Sequence, residues 1–300
     1  MPPHRYILHN LHEDAVDRRL TLKALLAGSV GAAFQDDAIA ASVPSKRWTS
    51  EFIEYDPVSR FRQALRIQRS AEDEADVLHW YHFTMVAVPT GAAPVPVVRW
   101  EGIELSHHRR IGPDRYRMHG HNLSFPRDLN SGRFVDDAVN PITGERVKIP
   151  PMALTSDPGS VIAPNGIIRL DAPAAAPRPE YRVFRREGAF VKLDAIRVAP
   201  VGWPVTFIEM GCESTPVKEF DGHAPWLPAE VSGGYVFPWP AWMNMGQAPG
   251  HMFAIWRGYK LRDIGKLPLE FRRRAETEFP NLLQVDRAQF DAPIPNLHPG

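Results

Sequence analysis

The chain has very little cysteine and no excess of charge of either sign. Its 300 residues include one cysteine, Cys212, so an internal disulfide is excluded. Lys plus Arg and Asp plus Glu number 35 each, and no long block of one sign occurs. Neither nucleic acid nor an anionic membrane surface is therefore indicated as a partner. These absences favour a small molecule or another protein as the ligand.

Long hydrophobic runs and the common cofactor motifs are also absent. The mildly apolar run from Ala24 to Phe34 is rich in Gly and Ala, and it is shorter than the ~20 apolar residues that span a bilayer. The sequence has no Gly-x-Gly-x-x-Gly after a strand, no Gly-x-x-x-x-Gly-Lys-Ser/Thr loop, no His-Glu-x-x-His and no Gly-x-Ser-x-Gly. Nucleotide and serine-hydrolase chemistry are disfavoured, and no cofactor is predicted.

The first 41 residues predict an export signal of the twin-arginine type. Arg18 and Arg19 are followed by Leu22, Lys23 and the short apolar run, and Ala38-Ile39-Ala40 supplies small residues for signal peptidase. The alternative is an amphipathic N-terminal helix of a cytoplasmic protein. The signal predicts a periplasmic protein that is exported already folded and has no membrane contact once the signal is removed.

Residues 42–300 predict a single all-β domain. Thirty prolines and 21 glycines separate short runs rich in Val, Ile, Phe, Tyr and Trp, which is the pattern of antiparallel strands. We expect an antiparallel barrel or a strongly bent sheet, calycin/lipocalin-like, with short terminal helices at Pro57–Arg69 and Pro268–Phe279. The predicted strands are Val77–Val88, Val95–His107, Arg115–Phe125, Arg133–Asp137, Glu145–Lys148, Glu180–Glu187, Phe190–Val198, Pro204–Cys212, Gly234–Phe237 and Met252–Lys260.

Histidines recur within the predicted strands. His119 and His121 share one face of a strand, with Gly120 between them, and neutral imidazoles placed in this way can bind a metal ion if a third ligand comes from elsewhere. In the strand from Val77, His79 and Tyr81 lie on one face and His82 on the other. An imidazole among aromatic side chains suits acid/base catalysis, whereas a core histidine bonded to the backbone is the alternative.

An aromatic and sulfur-rich segment follows Phe237. Trp239, Trp242 and Met243 are suited to form the wall of a pocket for an aromatic ligand, with Asn244 and His251 orienting it. The same residues can instead form core. We interpret the segment as a pocket wall, because Pro and Gly make it an irregular loop.

Carboxylates and arginines complete the candidate site. Glu101 and Asp157 are candidates to orient an imidazole or to act as a base, and Arg99 and Arg117 to stabilise an oxyanion. Each also has an ordinary interpretation as a turn former, an ion-pair partner or a solvated strand residue; Asp157 precedes proline, which is common at turns.

Three motifs resemble a known bacterial family. The turn from Asn140 to Glu145, the Asp157-Pro158 step, and the run from Trp239 to Gly246 followed by Gly250-His251 are similar to domain-of-unknown-function family 1838. Members of that family often have twin-arginine signals. Ala138 and Ser156 depart from the family pattern. The resemblance implies an all-β, barrel-like domain and assigns no catalytic residue.

Together these features predict a periplasmic, cofactor-independent enzyme of the lyase, isomerase or hydrolase type. Its expected partner is a small hydrophobic or aromatic ligand, with a homodimer left open. A non-catalytic binding or carrier barrel is one alternative, and a metal-dependent enzyme using His119 and His121 is another. An interior cavity in which two of the histidines meet a carboxylate separates the enzyme from the carrier.

Overall fold

In the computed structural model, the described residues are 50–155, 159–170, 180–198 and 208–294. All of them belong to one compact unit that extends from Trp48 to Gly300. The predicted signal over residues 1–41 and the candidate Asp157 lie outside the described ranges, so both stay predictions.

The first helix, α1 (Pro57–Gln68), confirms the helix predicted from Pro57. The Asp56 carboxylate accepts hydrogen bonds from the amides of Val58 and Ser59 at 3.0 Å each, and Pro57 occupies the first turn, where its missing N–H is not needed. The helix buries Phe61, Ala64, Leu65 and Ile67 on one side. Its C-terminal end is therefore held against the sheet.

Fourteen strands and two further helices account for most of the other described residues. The strands are β1 (Ser50–Ile53), β2 (Glu74–Pro89), β3 (Val95–Gly112), β4 (Arg115–Arg127), β5 (Asp137–Val139), β6 (Arg146–Lys148), β7 (Met152–Thr155), β8 (Ser160–Ala163), β9 (Gly166–Arg169), β10 (Glu180–Glu187), β11 (Phe190–Val198), β12 (Ile208–Pro216), β13 (Glu230–Phe237) and β14 (Gly250–Leu261). The helices are α2 (Val217–Phe220) and α3 (Leu269–Glu278). The second predicted helix, Pro268–Phe279, is thus confirmed.

Most predicted strands are present, and the differences have physical reasons. The strand predicted at Arg133–Asp137 lies instead at β5, because Phe134 makes one isolated bridge to Arg127 and packs on Phe125. Strands β1, β7, β8 and β9 were not predicted. Each has only four residues, too few to show a periodic pattern.

One antiparallel sheet of 12 strands contains nearly all of the strands, in the order β1-β10-β11-β12-β13-β14-β2-β3-β4-β8-β9, with β7 also paired to β4. The all-β antiparallel class is therefore confirmed. A closed barrel is not found, because no pairing among the described residues joins the four-residue edge strands β1 and β9. The sheet is nevertheless strongly curved: side chains from β4 and β11, six strands apart, line one cavity, whereas in a flat sheet they would be about 29 Å apart.

The convex face of β2, β3 and β4 is covered by α3. Phe271 and Ala275 of the helix pack with Leu78, Leu123 and Phe125 of the sheet. Within the described ranges, no helix is both long enough and apolar enough to cross a bilayer. The concave face is left to form the cavity.

Candidate functional site

The concave face of the sheet encloses a cavity of about 360 Å³. One part of its lining is apolar and aromatic, formed by Tyr81, Phe83, Met152, Leu154, Val231, Tyr235 and Trp256. The other part is polar or charged, formed by Gln68, Arg69, His79, Glu104, Asn122, Arg197, Glu209 and Glu213. This division suits a small molecule with an apolar body and a polar group.

Strand register determines which side chains enter the cavity. His79 of β2 is directly opposite Glu104 of β3, which is opposite Asn122 of β4. Across the sheet, Glu213 of β12 is opposite Val231 of β13. Directly opposed residues share a face, so each pairing places its side chains on the concave side.

Glycine allows one aromatic side chain to lie flat against the sheet. A Cβ atom on Gly233 would lie 2.6 Å from Cζ2 of Trp256 and 2.2 Å from the backbone oxygen of Met210. Only glycine leaves room for the indole at this position. The Trp256 ring therefore spreads across β12 and β13 as part of the cavity wall.

The two arginines in the lining are paired with carboxylates. Arg69, which follows α1, binds Glu104, and Arg197 binds Glu180 and Glu209, the latter at 3.1 Å. Burial raises the pKa of the Glu104 carboxyl, but the charge and hydrogen bond of Arg69, together with the other nearby positive groups, outweigh burial and hold that pKa at about 2. Glu104 is therefore ionised at neutral pH.

Glu213 has the opposite electrostatic environment. It is 8 % exposed, and burial raises the pKa of its carboxyl to about 7 against the opposing effects of Arg197 and of the Gln68 hydrogen bond. Gln68 donates to its Oε1 at 3.2 Å, while Oε2 has no hydrogen-bond partner among the described residues. Glu213 thus exchanges a proton near neutral pH, and Glu104 does not.

His79 is a neutral imidazole in this cavity. Burial lowers its pKa to about 3, although the negative charge of Glu104 opposes that effect. Its Nδ1 also lacks a hydrogen-bond partner in the part of the chain that the structure describes. Nearby, the Tyr81 hydroxyl donates to Oδ1 of Asn122 at 2.7 Å, and burial raises the Tyr81 pKa, so the phenol is neutral too.

Of the predicted site residues that fall within the described ranges, only His79 and Tyr81 line the cavity. His82 lies on the opposite face of β2, as the alternation predicts, and is exposed. His251 and Arg99 are also exposed. The expected meeting of two predicted histidines with a carboxylate is therefore not found among the described residues; instead one histidine, His79, shares the cavity lining with three glutamates.

Glu101 lies on the convex face and stabilises the sheet from outside. Its Oε1 accepts a hydrogen bond from the Trp80 indole at 2.9 Å, and its Oε2 accepts one from Arg127 at 2.6 Å. The carboxylate is 5 % exposed and does not line the cavity. Its predicted catalytic role has no support from this placement.

His119 and His121 do share a face of β4, and their ring centroids are 5.7 Å apart. That face is the convex one, where Phe290 packs against His119 and Arg117 donates to the carbonyl oxygens of Phe290 and Ala292 at 3.2 and 2.7 Å. Arg117 thus holds the C-terminal segment rather than lining the cavity. No group of three or more His, Cys, Asp or Glu residues within the described ranges is arranged to hold a metal ion.

The aromatic loop packs against one end of the core. Met243 is fully buried there, and Trp239 and Trp242 pack against the same cluster. Asn140, the first residue of the predicted turn, donates from Nδ2 to the Met243 carbonyl at 2.8 Å. Asn244 is exposed in a left-handed conformation. None of these four loop residues lines the cavity.

Sequence reasoning missed all five charged residues that line the cavity, Arg69, Glu104, Arg197, Glu209 and Glu213. Glu104 lies on the same face of β3 as Trp100, within a mostly apolar run, and a charge in such a run is the signal that would have identified it. Glu209 and Glu213 lie four positions apart in β12 and share a face with Gly211 and Thr215, so no apolar pattern marks them in the sequence. Cys212 points to the other side of β12, and burial raises its pKa to about 11, so it is a protonated thiol.

Comparison with known proteins adds no assignment. No protein-family model matches the chain, and no curated protein matches it significantly. The similarity to family 1838 therefore stays a prediction.

Proposed function

We propose that the protein is a periplasmic enzyme that performs cofactor-independent acid/base chemistry on a small aromatic or otherwise apolar molecule bound in the concave cavity. The observation that carries the proposal is the pair Glu104 and Glu213 in one lining, the first held ionised by Arg69 and the second able to exchange a proton near neutral pH. Environments that push two carboxyl pKa values apart are typical of acid/base sites.

Glu213 takes the proton-transfer role that the sequence suggested for histidine. A general acid or base works best with a pKa near the working pH, and His79, with a pKa of about 3, does not meet that condition. His79 and Tyr81 instead orient the ligand by hydrogen bonds, and Glu104 with Arg69 supplies a fixed dipole. Phe83, Tyr235 and Trp256 hold the apolar part.

The test is elimination of 5-nitrobenzisoxazole, an aromatic probe that needs only a base. A carboxylate removes the C3 proton, the N–O bond breaks, and the electron pair ends on the oxygen of 2-cyano-4-nitrophenolate, which is measured by absorbance. We expect wild type to accelerate the reaction with an apparent pKa near 7, and Glu213→Gln to lose about 10²-fold.

The matched control is Glu230→Gln, an exposed carboxylate of β13 outside the cavity. This variant should keep the wild-type rate. If wild type is no faster than Glu213→Gln, the acid/base proposal is wrong. The second candidate function is a non-catalytic carrier, which is favoured by the scattering of the predicted histidines. Binding of the neutral fluorophore N-phenyl-1-naphthylamine without any elimination of 5-nitrobenzisoxazole would identify the protein as such a carrier.

The metal-dependent alternative has a separate test. Because no third ligand accompanies His119 and His121 in the described part of the chain, we expect less than one equivalent of metal in wild type and the same amount in the His119→Ala/His121→Ala variant. A stoichiometric metal that is lost in the variant would replace the proposal with metal-assisted chemistry.

A further inference from the structure

Both arginines of the cavity are paired with carboxylates before any ligand binds. Arg69 is paired with Glu104, and Arg197 with Glu180 and Glu209. A carboxylate ligand that entered the cavity would lose its hydration and would have to compete with these glutamates for the guanidinium groups. The lining is therefore poorly suited to an anion.

Two polar groups of the lining retain unused hydrogen-bonding capacity. Oε2 of Glu213 and Nδ1 of His79 are buried, and neither has a partner among the described residues. Buried polar atoms without partners are destabilising, and a bound water, ion or ligand is one explanation for them in native proteins. Both side chains line the cavity, so a ligand bound there lies next to them.

Both groups lie at the end of the cavity closed by α1. Gln68, the last residue of the helix, binds Glu213, and the next residue, Arg69, binds Glu104, which is directly opposite His79. Two consecutive residues thus link the two groups across the cavity. Phe83, Tyr235 and Trp256 form an aromatic wall elsewhere in the lining.

A hydroxyl matches these groups better than other polar substituents do. Neutral imidazole has one donor and one acceptor nitrogen, and a carboxyl group accepts when ionised and also donates when protonated. A hydroxyl both donates and accepts, so it satisfies Glu213 in either protonation state. An ammonium only donates, and a carboxylate only accepts.

We propose that the ligand is an uncharged aromatic molecule bearing a hydroxyl group, with the hydroxyl bound at the Glu213 and His79 end and the ring against Trp256. This inference names the substrate class of the cavity and rests on the proposed function. The predicted ligand is a phenol-like or arylalcohol-like compound, which should bind more tightly than a carboxylate, an amine or a hydrocarbon of the same shape.

The experiment is displacement of N-phenyl-1-naphthylamine by four matched compounds: 2-naphthol, 2-methylnaphthalene, 2-naphthoate and 2-naphthylmethylammonium. We expect 2-naphthol to bind at least about tenfold more tightly than 2-methylnaphthalene, since a site with buried hydrogen-bonding groups rejects an analogue that leaves them unpaired. The two charged compounds should bind more weakly than 2-naphthol.

Variants at Glu213 make the test specific. Glu213→Met, which removes the hydrogen-bonding group, should reduce the preference for 2-naphthol to about one, whereas Glu213→Gln and Glu230→Gln should keep it. Thermal unfolding verifies that each variant is folded. If Glu213→Met does not fold, Glu213→Gln provides the test. Loss of the preference for 2-naphthol over 2-methylnaphthalene in Glu213→Gln would then contradict the inference.

The outcomes separate this inference from the proposed function. Tightest binding by any of the other three compounds, or no displacement by 2-naphthol, overturns the hydroxyl assignment while elimination of 5-nitrobenzisoxazole still stands. Loss of elimination with an intact preference for 2-naphthol overturns the enzyme and leaves a carrier of hydroxylated aromatic compounds.

Discussion

At the scale of single residues, Lys260 shows how a buried charge stabilises the end of the cavity next to α1. Its ammonium donates to the carbonyl oxygens of Arg66, Ile67 and Arg69 at 2.8, 2.7 and 2.9 Å. These carbonyls lie at the C-terminal end of α1, in its last turn and at the residue that follows it, where backbone acceptors lack intrahelical partners. Burial lowers the pKa of the amine, but the three acceptors match the three N–H bonds of the charged form and favour it.

Replacing Lys260 is therefore expected to destabilise the fold. Lys260→Met removes a donor from three carbonyl groups, of which only that of Arg66 keeps another among the described residues, the Leu227 amide at 3.0 Å. We expect the free energy of unfolding to fall by about 1–3 kcal/mol, measured by urea denaturation. The control is Arg257→Met on the exposed face of the same strand. Equal stability of the two variants would show that the three hydrogen bonds contribute nothing.

The raised pKa of Glu213 predicts a pH dependence of stability. The carboxyl loses its proton near pH 4.5 in the unfolded chain but only near pH 7 in the folded one, so the contribution of Glu213 is full below pH 4.5 and is lost as pH rises to about 7. The loss is on the order of 3 kcal/mol. The difference in unfolding free energy between wild type and Glu213→Gln should fall across this window and stay constant above it.

A stability difference that stays constant from pH 4.5 to 7 would mean that Glu213 titrates normally. Glu104 does not interfere, because its pKa is lowered and its contribution is lost only when pH falls toward 2. Its effect also cancels in the difference, since both proteins retain Arg69 and Glu104.

At the scale of elements, the long strands could be predicted and the short ones could not. In β2 the alternation of side chains alone places His79 and Tyr81 on one face and His82 on the other, and the structure confirms that separation. Strands β7, β8 and β9 have four residues each and are recognisable only from their pairing with β4 and with each other.

Close packing between elements predicts unequal effects of two glycine substitutions. Gly233→Ala would place a Cβ atom 2.6 Å from Trp256 and 2.2 Å from the Met210 backbone oxygen, whereas the same change at Gly211 meets Trp256 at an ordinary 3.4 Å. We expect Gly233→Ala to lower the free energy of unfolding by about 1–3 kcal/mol and to shift the tryptophan emission.

Gly211→Ala is the matched control from the neighbouring strand, and it should change the stability and the emission little. If the two variants behave alike, the indole of Trp256 does not lie against Gly233 as described.

At the scale of the whole molecule, sheet curvature creates the cavity. Strands β11 and β12 face β3 and β4 across it, so that Arg197 and Glu104 line one space although 93 positions separate them. Filling that space should weaken ligand binding. Val231→Trp introduces an indole in the lining, and we expect binding of N-phenyl-1-naphthylamine to weaken at least about tenfold, measured by fluorescence titration.

Val183→Trp, at an exposed position of β10, is the control and should bind the fluorophore as wild type does. Undiminished binding in Val231→Trp would show that the fluorophore occupies another surface, such as the apolar residues Tyr181, Ile196 and Met210 on the convex side.

The sequence by itself determined what depends on near neighbours in the chain: the helix after Asp56, the long alternating strands, the antiparallel β class and the common face of His119 and His121. The tertiary structure decided which face is concave and which residues meet there. Alternation assigns a residue to one of two faces, but the curvature that brings Gln68, Arg69 and Glu213 to His79 arises from the pairing of all twelve strands. That long-range pairing has no local pattern in the chain, which is why the candidate site moved from the histidines to Glu213.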